Sequence, residues 1–151
     1  MKSIHLKRNF KILGVLLFLY MGVSYMHGQS YDHSMLIKKE WKMLIPNKSF
    51  NFITLFNGKE ERIRLFENGV KSKDVIRSSY YLSDKIVEKF QPELVGKSYK
   101  GKYIVVYRKP LIAEEFIDIF EILEITEKSL KLKQLKGGAI FEYVLLKDKN
   151  K

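Results

Sequence analysis

Short runs of β-forming residues, separated by pairs of turn residues, constrain the fold of this chain more than any other feature of its sequence. The pairs are Pro46-Asn47, Asn57-Gly58, Asn68-Gly69, Lys100-Gly101, Glu127-Lys128 and Gly137-Gly138. An Asn-Gly pair between two such runs is a strong hairpin signal, because both central residues of a type I′ turn need a positive φ. The pattern predicts eight strands, at about 40–45, 50–56, 61–66, 75–82, 103–109, 115–125, 129–136 and 139–147.

Two of these runs alternate apolar and charged side chains. Leu130 and Leu132 are expected to face a core while the neighbouring lysines face water, and Ile63 and Leu65 repeat this arrangement between arginines. Three other runs are apolar on both faces for part of their length, at 103–107, 116–125 and 140–146. We expect a helix, a loop or a ligand to cover the second face of these strands.

Consecutive antiparallel strands joined by short turns must either stack as two sheets or close on themselves, because a long open sheet edge invites aggregation. We therefore expect a mainly β fold, a single antiparallel up-and-down β-barrel of about eight strands with a short helical segment. The longest interruption, residues 83–102, contains Asp84–Phe90, which fits one or two helical turns. Ser83 or Asp84 would cap such a helix and Pro92 would end it. Whether this segment forms a lid is left open by the sequence.

The first 28 residues have the composition of a secretory signal peptide. A basic stretch up to Lys11 precedes a short apolar run, and small residues follow it. We expect cleavage after Gly28, with Ser24 as the second choice, and export to the periplasm or the extracellular space. An uncleaved membrane anchor is the alternative. The predicted organisation is a signal peptide at 1–28, an N-terminal tail at 29–38, a barrel domain at 39–147 and a C-terminal tail at 148–151. The sequence leaves open whether the segment after the signal peptide is a frayed tail, a short helix or a lid.

The residues that ordinary hydrolytic or metal chemistry requires are scarce. The chain has no cysteine and three histidines, of which His5 and His27 lie in the predicted signal peptide. His33 alone cannot build a Ser-His-Asp arrangement or a histidine zinc site. We expect no catalytic residues, no metal site, no cofactor and no enzymatic activity.

Several acidic residues gather in the run from 114 to 124. Alternation places Glu115 and Glu121 on one face of the strand, and Glu114, Asp118 and Glu124 on the other. A carboxylate-based enzyme would need two such groups facing each other across a cleft. We favour the alternative, in which these acids form cross-strand ion pairs with lysines.

The chain is basic, but its charge does not indicate specific recognition of nucleic acid. The net charge is +11, and it is +7 without the first 28 residues, which hold four basic and no acidic residues. Most of the cations are lysines, which lack the planar fork of arginine, and no helix-turn-helix, zinc-finger or P-loop motif is present. We expect no specific nucleic-acid partner. An anionic membrane or envelope surface is the electrostatic partner that this charge fits.

Four segments resemble the short exported lipocalin-like domains of bacteria. They are Trp41 in the first strand, Tyr80-Tyr81-Leu82-Ser83-Asp84, Gly101-Lys102-Tyr103-Ile104-Val105-Val106, and the stretch from Ile122 to Leu132. The resemblance covers residues 39–147. It departs from the family at Lys39-Glu40-Trp41, where lipocalins usually have Gly-x-Trp. Lys147 is a candidate for the basic residue that the family places on this tryptophan. The resemblance implies that a small apolar molecule binds in the barrel mouth.

Aromatic residues occur throughout the predicted strands, and an eight-stranded barrel can either be filled by its side chains or hold one small ligand. The sequence does not choose between a solid and a hollow barrel. In the hollow case we expect a ligand-binding pocket lined by Trp41, Met43, Phe66, Tyr81, Tyr103, Val105, Phe120, Ile122, Leu130, Leu132 and Tyr143. In the solid case the chain would be a barrel or sandwich that serves as a protein-interaction or structural module of the cell envelope.

Overall fold

The computed structural model describes residues 29–46 and 48–148. The predicted signal peptide, Asn47 of the first predicted turn and residues 149–151 lie outside this part of the chain. The strands are β1 (Tyr31–Asp32), β2 (Lys39–Met43), β3 (Phe50–Phe56), β4 (Glu60–Glu67), β5 (Val70–Lys71), β6 (Ile76–Ser83), β7 (Lys100–Gly101), β8 (Tyr103–Arg108), β9 (Phe116–Ile125), β10 (Ser129–Gln134) and β11 (Ile140–Asp148).

Eight of these strands close into an antiparallel barrel. Each of β2, β3, β4, β6, β8, β9 and β10 pairs with the next barrel strand along the chain, and β11 returns to β2. The closing pair places Tyr143 opposite Met43 and Leu145 opposite Trp41. The predicted up-and-down barrel of eight strands is confirmed, and closure leaves none of the eight with an unpaired long edge. Ile63, Leu65, Leu130 and Leu132 share the inner face, as the alternation predicted.

The predicted turns behave differently from one another. Asn68 and Gly69 have φ values of 49° and 81°, as a type I′ turn requires, and join β4 to the short strand β5. At Asn57-Gly58 only the glycine has a positive φ, 96°. The Asn57 Oδ1 there accepts hydrogen bonds from the backbone N–H groups of Lys59 and Glu60. The prediction of a turn at Lys100-Gly101 is wrong, because these residues form β7.

Residues 31–38, for which the sequence left open a tail, a short helix or a lid, cover one end of the barrel. We call them the plug. β1 pairs with β7, a 3-10 turn spans His33–Met35, and Ile37 bridges to Phe56. The Trp41 indole N–H donates to the Leu36 carbonyl at 3.1 Å, and Leu36 is 1% exposed. This end is the closed end. The opposite end, from which the loops after β2, β5, β8 and β10 extend, is the open end.

The apolar core lies inside the barrel, mostly toward the closed end. It contains Leu36, Trp41, Phe56, Tyr80, Leu82, Ile104, Val106, Phe120, Ile122, Ile125, Leu130, Leu132 and Tyr143. Apart from Leu36, which belongs to the plug, these side chains come from every barrel strand except β4. Because successive side chains of a strand point to opposite faces, the cluster identifies the inner face of those strands, and the pairing of Phe56 with Glu61 identifies it for β4.

A second cluster lies on the outer face, around Tyr81, Val105 and Ile119. The segment between β6 and β7 covers it with Val87, Phe90, Leu94 and Val95. This cover explains why β8 and β9 are apolar on both faces. The helix expected at Asp84–Phe90 is absent, and Pro92 begins a 3-10 turn, Pro92–Leu94, instead of ending a helix. The segment therefore lies against the barrel wall.

Across the described residues, every helical turn is too short to cross a membrane.

Candidate binding site at the open end of the barrel

Apolar side chains at the open end face inward and yet are exposed. Ile76 is 62% exposed, Phe116 46% and Leu65 37%. Their strand positions place them on the inner face: Ile76 is two residues from Ser78 and opposite Ile63, and Phe116 is opposite Arg108. Inner-face residues near the plug, such as Trp41 and Tyr80, are fully buried. The interior is thus packed at one end and reachable by solvent at the other.

A polar layer separates the packed core from this exposed rim. We define it by Glu61, Ser78, Arg108, Asp118 and Gln134, one side chain from each of β4, β6, β8, β9 and β10. The Arg108 guanidinium forms an ion pair with Glu61 and donates from Nη1 to the Ser78 hydroxyl at 3.1 Å. Its Nε lies 4.0 Å from Asp118 Oδ2. The Gln134 amide donates to both Asp118 oxygens, at 2.9 and 3.1 Å.

Burial dominates the electrostatics of this layer. It raises the pKa of Glu61, although the nearby Arg108 guanidinium acts to lower it, and the negative charge of Asp118 raises it further. Burial also raises the pKa of the Tyr143 hydroxyl, and the charges of Glu61 and Asp118 act in the same direction. Tyr143 therefore stays protonated at neutral pH and keeps its hydrogen to donate.

Thr54 adds a buried polar atom to the same inner face. It lies opposite Trp41 on one side and Ile63 on the other, so it is the diagonal neighbour of Glu61. Its side chain is 1% exposed, and its hydroxyl has no hydrogen-bond partner among the described residues. Buried hydroxyls are usually satisfied, so an unpaired one marks a place where a donor or acceptor is missing.

Of the eleven residues predicted to line a pocket, seven face the interior. These are Trp41, Met43, Phe120, Ile122, Leu130, Leu132 and Tyr143. The expectation of an inward orientation is wrong for the other four. Tyr81, Tyr103 and Val105 belong to the outer cluster under the segment after β6. Phe66 alternates with the inner-face Leu65, and the Lys42 ammonium lies 5.6 Å from its ring.

For Tyr81, Tyr103 and Val105 the error has one physical cause: both faces of β6 and β8 are apolar, so hydrophobicity alone does not identify the inner face. Phe66 is different, because the alternation through Ile63 and Leu65 already places it on the outer face of β4. The sequence did not predict the polar layer, because the acids of β9 were expected to form cross-strand ion pairs with lysines. A signal was present in β4, where alternation with Ile63 and Leu65 puts Glu61 on the apolar face.

The predicted pairing of acids with lysines holds for two carboxylates of this region. Glu121 lies 3.1 Å from the Lys102 ammonium, and Glu115 lies 3.1 Å from that of Lys109. Asp118 departs from the pattern because it points into the barrel. Lys147, the candidate partner of Trp41, has no described side chain, whereas the Lys39 ammonium lies 5.8 Å from the centre of the Trp41 ring.

Other features of the described part are less suited to an apolar ligand. A hollow of about 480 Å³ at the closed end is lined mainly by polar and charged residues, Asn57, Gly58, Lys59, Glu60, Arg62 and Gly96. Among the described residues, no three His, Cys, Asp or Glu side chains lie close enough together to hold a metal ion. The open end therefore carries the strongest candidate site.

Comparison with protein-family models, with curated proteins and with solved structures finds no match to this chain.

Proposed function

We propose that this chain is an exported, non-enzymatic, lipocalin-like protein that binds a small hydrophobic molecule at the open end of its barrel. The observation that carries the proposal is the solvent exposure of inward-facing Ile76, Phe116 and Leu65, next to an interior that is packed and plugged at its other end. Apolar surface that a guest removes from water stabilises the complex by about 25 cal/mol per Å². The rim offers such surface on three different strands.

Export to the periplasm or extracellular space belongs to the same proposal and is supported by the composition of the first 28 residues. We propose no specific nucleic-acid partner and no catalytic step. Contact with an anionic membrane or envelope surface is compatible with the lysine-rich exterior.

A titration with the neutral fluorescent probe N-phenyl-1-naphthylamine tests ligand binding, together with native mass spectrometry of the purified protein. We expect saturable fluorescence enhancement, and replacing Ile76 by Asp should weaken it because a charge then occupies the apolar rim. Ile86→Asp is the control, since Ile86 is equally exposed, 61% against 62%, but lies on the segment that covers the outer wall. A probe that does not bind, or that both variants weaken equally, would contradict the proposal.

A second function, an interaction module at the cell envelope, is favoured by one observation. Leu111 and Ile112, in the loop between β8 and β9, are fully exposed. Two adjacent exposed aliphatic side chains at a loop tip fit a contact with another protein. If Leu111→Ser together with Ile112→Ser abolishes a pull-down partner from envelope fractions while probe binding is unchanged, this second function is supported.

A further inference from the structure

From the charge balance of the polar layer we infer that the open end is selective for ligands that join an apolar body to a positively charged nitrogen, such as an amine. This inference rests on the proposed function, because it names the chemical class of the ligand for the same site. Glu61, Asp118 and Thr54 are the groups inside the barrel that would face the ligand.

The polar layer holds two carboxylates and one guanidinium. Within the described part of the chain, Arg108 is the only cation within 4.0 Å of either Glu61 or Asp118. Arg108 is closest to Glu61, and it reaches Asp118 only at 4.0 Å. The hydrogen bonds that the Asp118 carboxylate accepts within the described part of the chain come from the neutral amide of Gln134. The two carboxylates of the layer thus share the single guanidinium of Arg108, so the layer has one carboxylate more than it has cations.

An uncompensated charge inside a protein is costly, and a guest of opposite charge recovers part of that cost. Asp118 is 8% exposed and Arg108 is partly exposed, so a group that enters through the rim can reach them. An ammonium would bring the layer to two cations and two anions. A carboxylate would instead place a third anion beside Glu61 and Asp118, and at short range this repulsion is substantial.

The Thr54 hydroxyl is an independent observation that points to a guest with a polar head group at this place. It is buried on the inner face beside Glu61 and has no partner in the described part of the chain. A hydroxyl oxygen can accept a hydrogen bond from an ammonium, which has three hydrogens to donate. Glu61, Asp118 and Thr54 together would supply acceptors to one cationic head, while Ile76, Phe116 and Leu65 contact its apolar body.

The test compares three ten-carbon probes, decylamine, decan-1-ol and decanoate, as competitors of N-phenyl-1-naphthylamine at about neutral pH and below their micellar concentrations. We expect decylamine to bind at least about tenfold more tightly than decanoate, a difference of about 1.4 kcal/mol. General electrostatics would produce the opposite order, because the chain without its first 28 residues carries a net charge of +7. A preference for the amine must therefore come from the local charges.

Asp118→Asn should reduce the ratio of the two affinities to less than about threefold. Glu121→Gln is the control, since Glu121 is on the same strand but faces outward and pairs with Lys102. Thr54→Val, which is isosteric, should weaken decylamine binding more than that of decan-1-ol, because the alcohol has one hydrogen to donate where the ammonium has three. The comparison of probes on the unaltered protein stands even where a variant does not fold.

Equal or reversed affinities for decylamine and decanoate would overturn this inference and leave the proposed function standing, provided that a probe binds. An equal loss of preference in Asp118→Asn and Glu121→Gln would also overturn it. If none of the three competes and the fluorescent probe does not bind, the proposed function fails as well.

Discussion

Gly101 lies at the closest approach between two segments of backbone, where β7 passes the end of β6. A Cβ atom built on Gly101 would lie 2.5 Å from the Ser83 backbone nitrogen and 2.9 Å from its carbonyl oxygen. Both atoms belong to the main chain, which cannot turn aside as a flexible side chain can. The glycine therefore allows β7 to pair with β1 and hold the plug in place.

We expect Gly101→Ala to lower the free energy of unfolding by at least about 1–3 kcal/mol, the usual cost of an overpacked site. Urea denaturation measures it. Gly69→Ala separates this cause from backbone strain, because Gly69 has a φ of 81° but nothing within 4 Å of its added Cβ. That control should lose about 1–2 kcal/mol through strain alone and keep the plug. A Gly101→Ala protein as stable as the unaltered one would contradict the packing explanation.

His33 links the plug to the barrel interior and responds to pH. Its Nε2 lies 2.6 Å from the Tyr80 hydroxyl, which accepts a hydrogen bond from the Gly58 N–H at 3.2 Å. The Tyr80 hydroxyl then has its own hydrogen to donate to neutral His33. Burial is the main cause that lowers the pKa of His33 below 6.5, against the weaker opposing effect of Asp32. The folded state therefore favours the neutral imidazole.

In the unfolded chain His33 takes up a proton near pH 6.5, whereas in the folded chain it does so only at a lower pH. The contribution of His33 to stability is therefore present above pH 6.5 and is lost as the pH falls below it. We expect the free energy of unfolding to drop more between about pH 7.5 and pH 5.5 in the unaltered protein than in His33→Gln. Chemical denaturation at the two pH values measures the difference. The same drop in both proteins would exclude His33 as its source.

The plug closes one end of a barrel that would otherwise be open at both ends. Without it, the apolar core side chains at the closed end would be exposed to water. Leu36 is its main apolar contact, 1% exposed and packed with the core that includes Trp41 and Phe56. Three contacts hold the plug in place: the pairing of β1 with β7, the hydrogen bond from the Trp41 indole to the Leu36 carbonyl, and the contact of His33 with the Tyr80 hydroxyl.

Leu36→Ala should cost about 2–5 kcal/mol of unfolding free energy, because it removes a fully buried side chain and leaves a cavity. Leu111→Ala is the control: the same substitution at a fully exposed position should change stability by no more than about 0.5 kcal/mol. Thermal or urea unfolding of both variants gives the values. Similar effects of the two substitutions would show that residues 31–38 do not contribute to the folded core.

The segment between β6 and β7 shows how tertiary contacts override a local preference. Val87, Phe90 and Leu94 have spacings of three and four residues, which suit a helix, yet the chain here is mostly irregular. Phe90 lies between two aromatic rings of the barrel wall, 5.2 Å from that of Tyr81 and 5.0 Å from that of Tyr107. Contact with the outer sheet face buries these side chains without helical hydrogen bonds, so burial decides the conformation.

For the whole molecule, the notable feature is the placement of charge inside the barrel. A basic exterior surrounds an interior layer in which two carboxylates share one arginine. Burial and the charge of Asp118 raise the pKa of Glu61, so ionisation of Glu61 costs stability. The stability that protonated Glu61 contributes is present below its usual pKa of 4.5 and is lost as the pH rises through its folded-state pKa. Arg108 limits this cost.

Arg108→Met should therefore destabilise the protein by about 3–5 kcal/mol near neutral pH, since it leaves two buried carboxylates without a cation. The loss of unfolding free energy should be smaller near pH 4.5, where protonation of Glu61, whose pKa is raised, removes its repulsion with Asp118. Arg77→Met is the control: the Arg77 side chain is 51% exposed and pairs with Glu60 at 3.3 Å, so its removal should cost less than about 1 kcal/mol. A pH-independent loss in Arg108→Met would contradict the charge explanation.

Local sequence patterns predicted the eight barrel strands and their antiparallel order, because alternation, turn residues and short connections act between neighbours along the chain. They also favoured a closed barrel over two stacked sheets. Ile63, Leu65, Leu130 and Leu132 were placed on the correct face by this local pattern alone. Three features follow from long-range contacts that local patterns do not contain: the outer cover over Tyr81 and Val105, the plug of residues 31–38, and the inward position of Arg108 and Asp118. Each of these depends on contacts between segments distant in the chain, and a strand that is apolar or charged on both faces takes its orientation from those contacts.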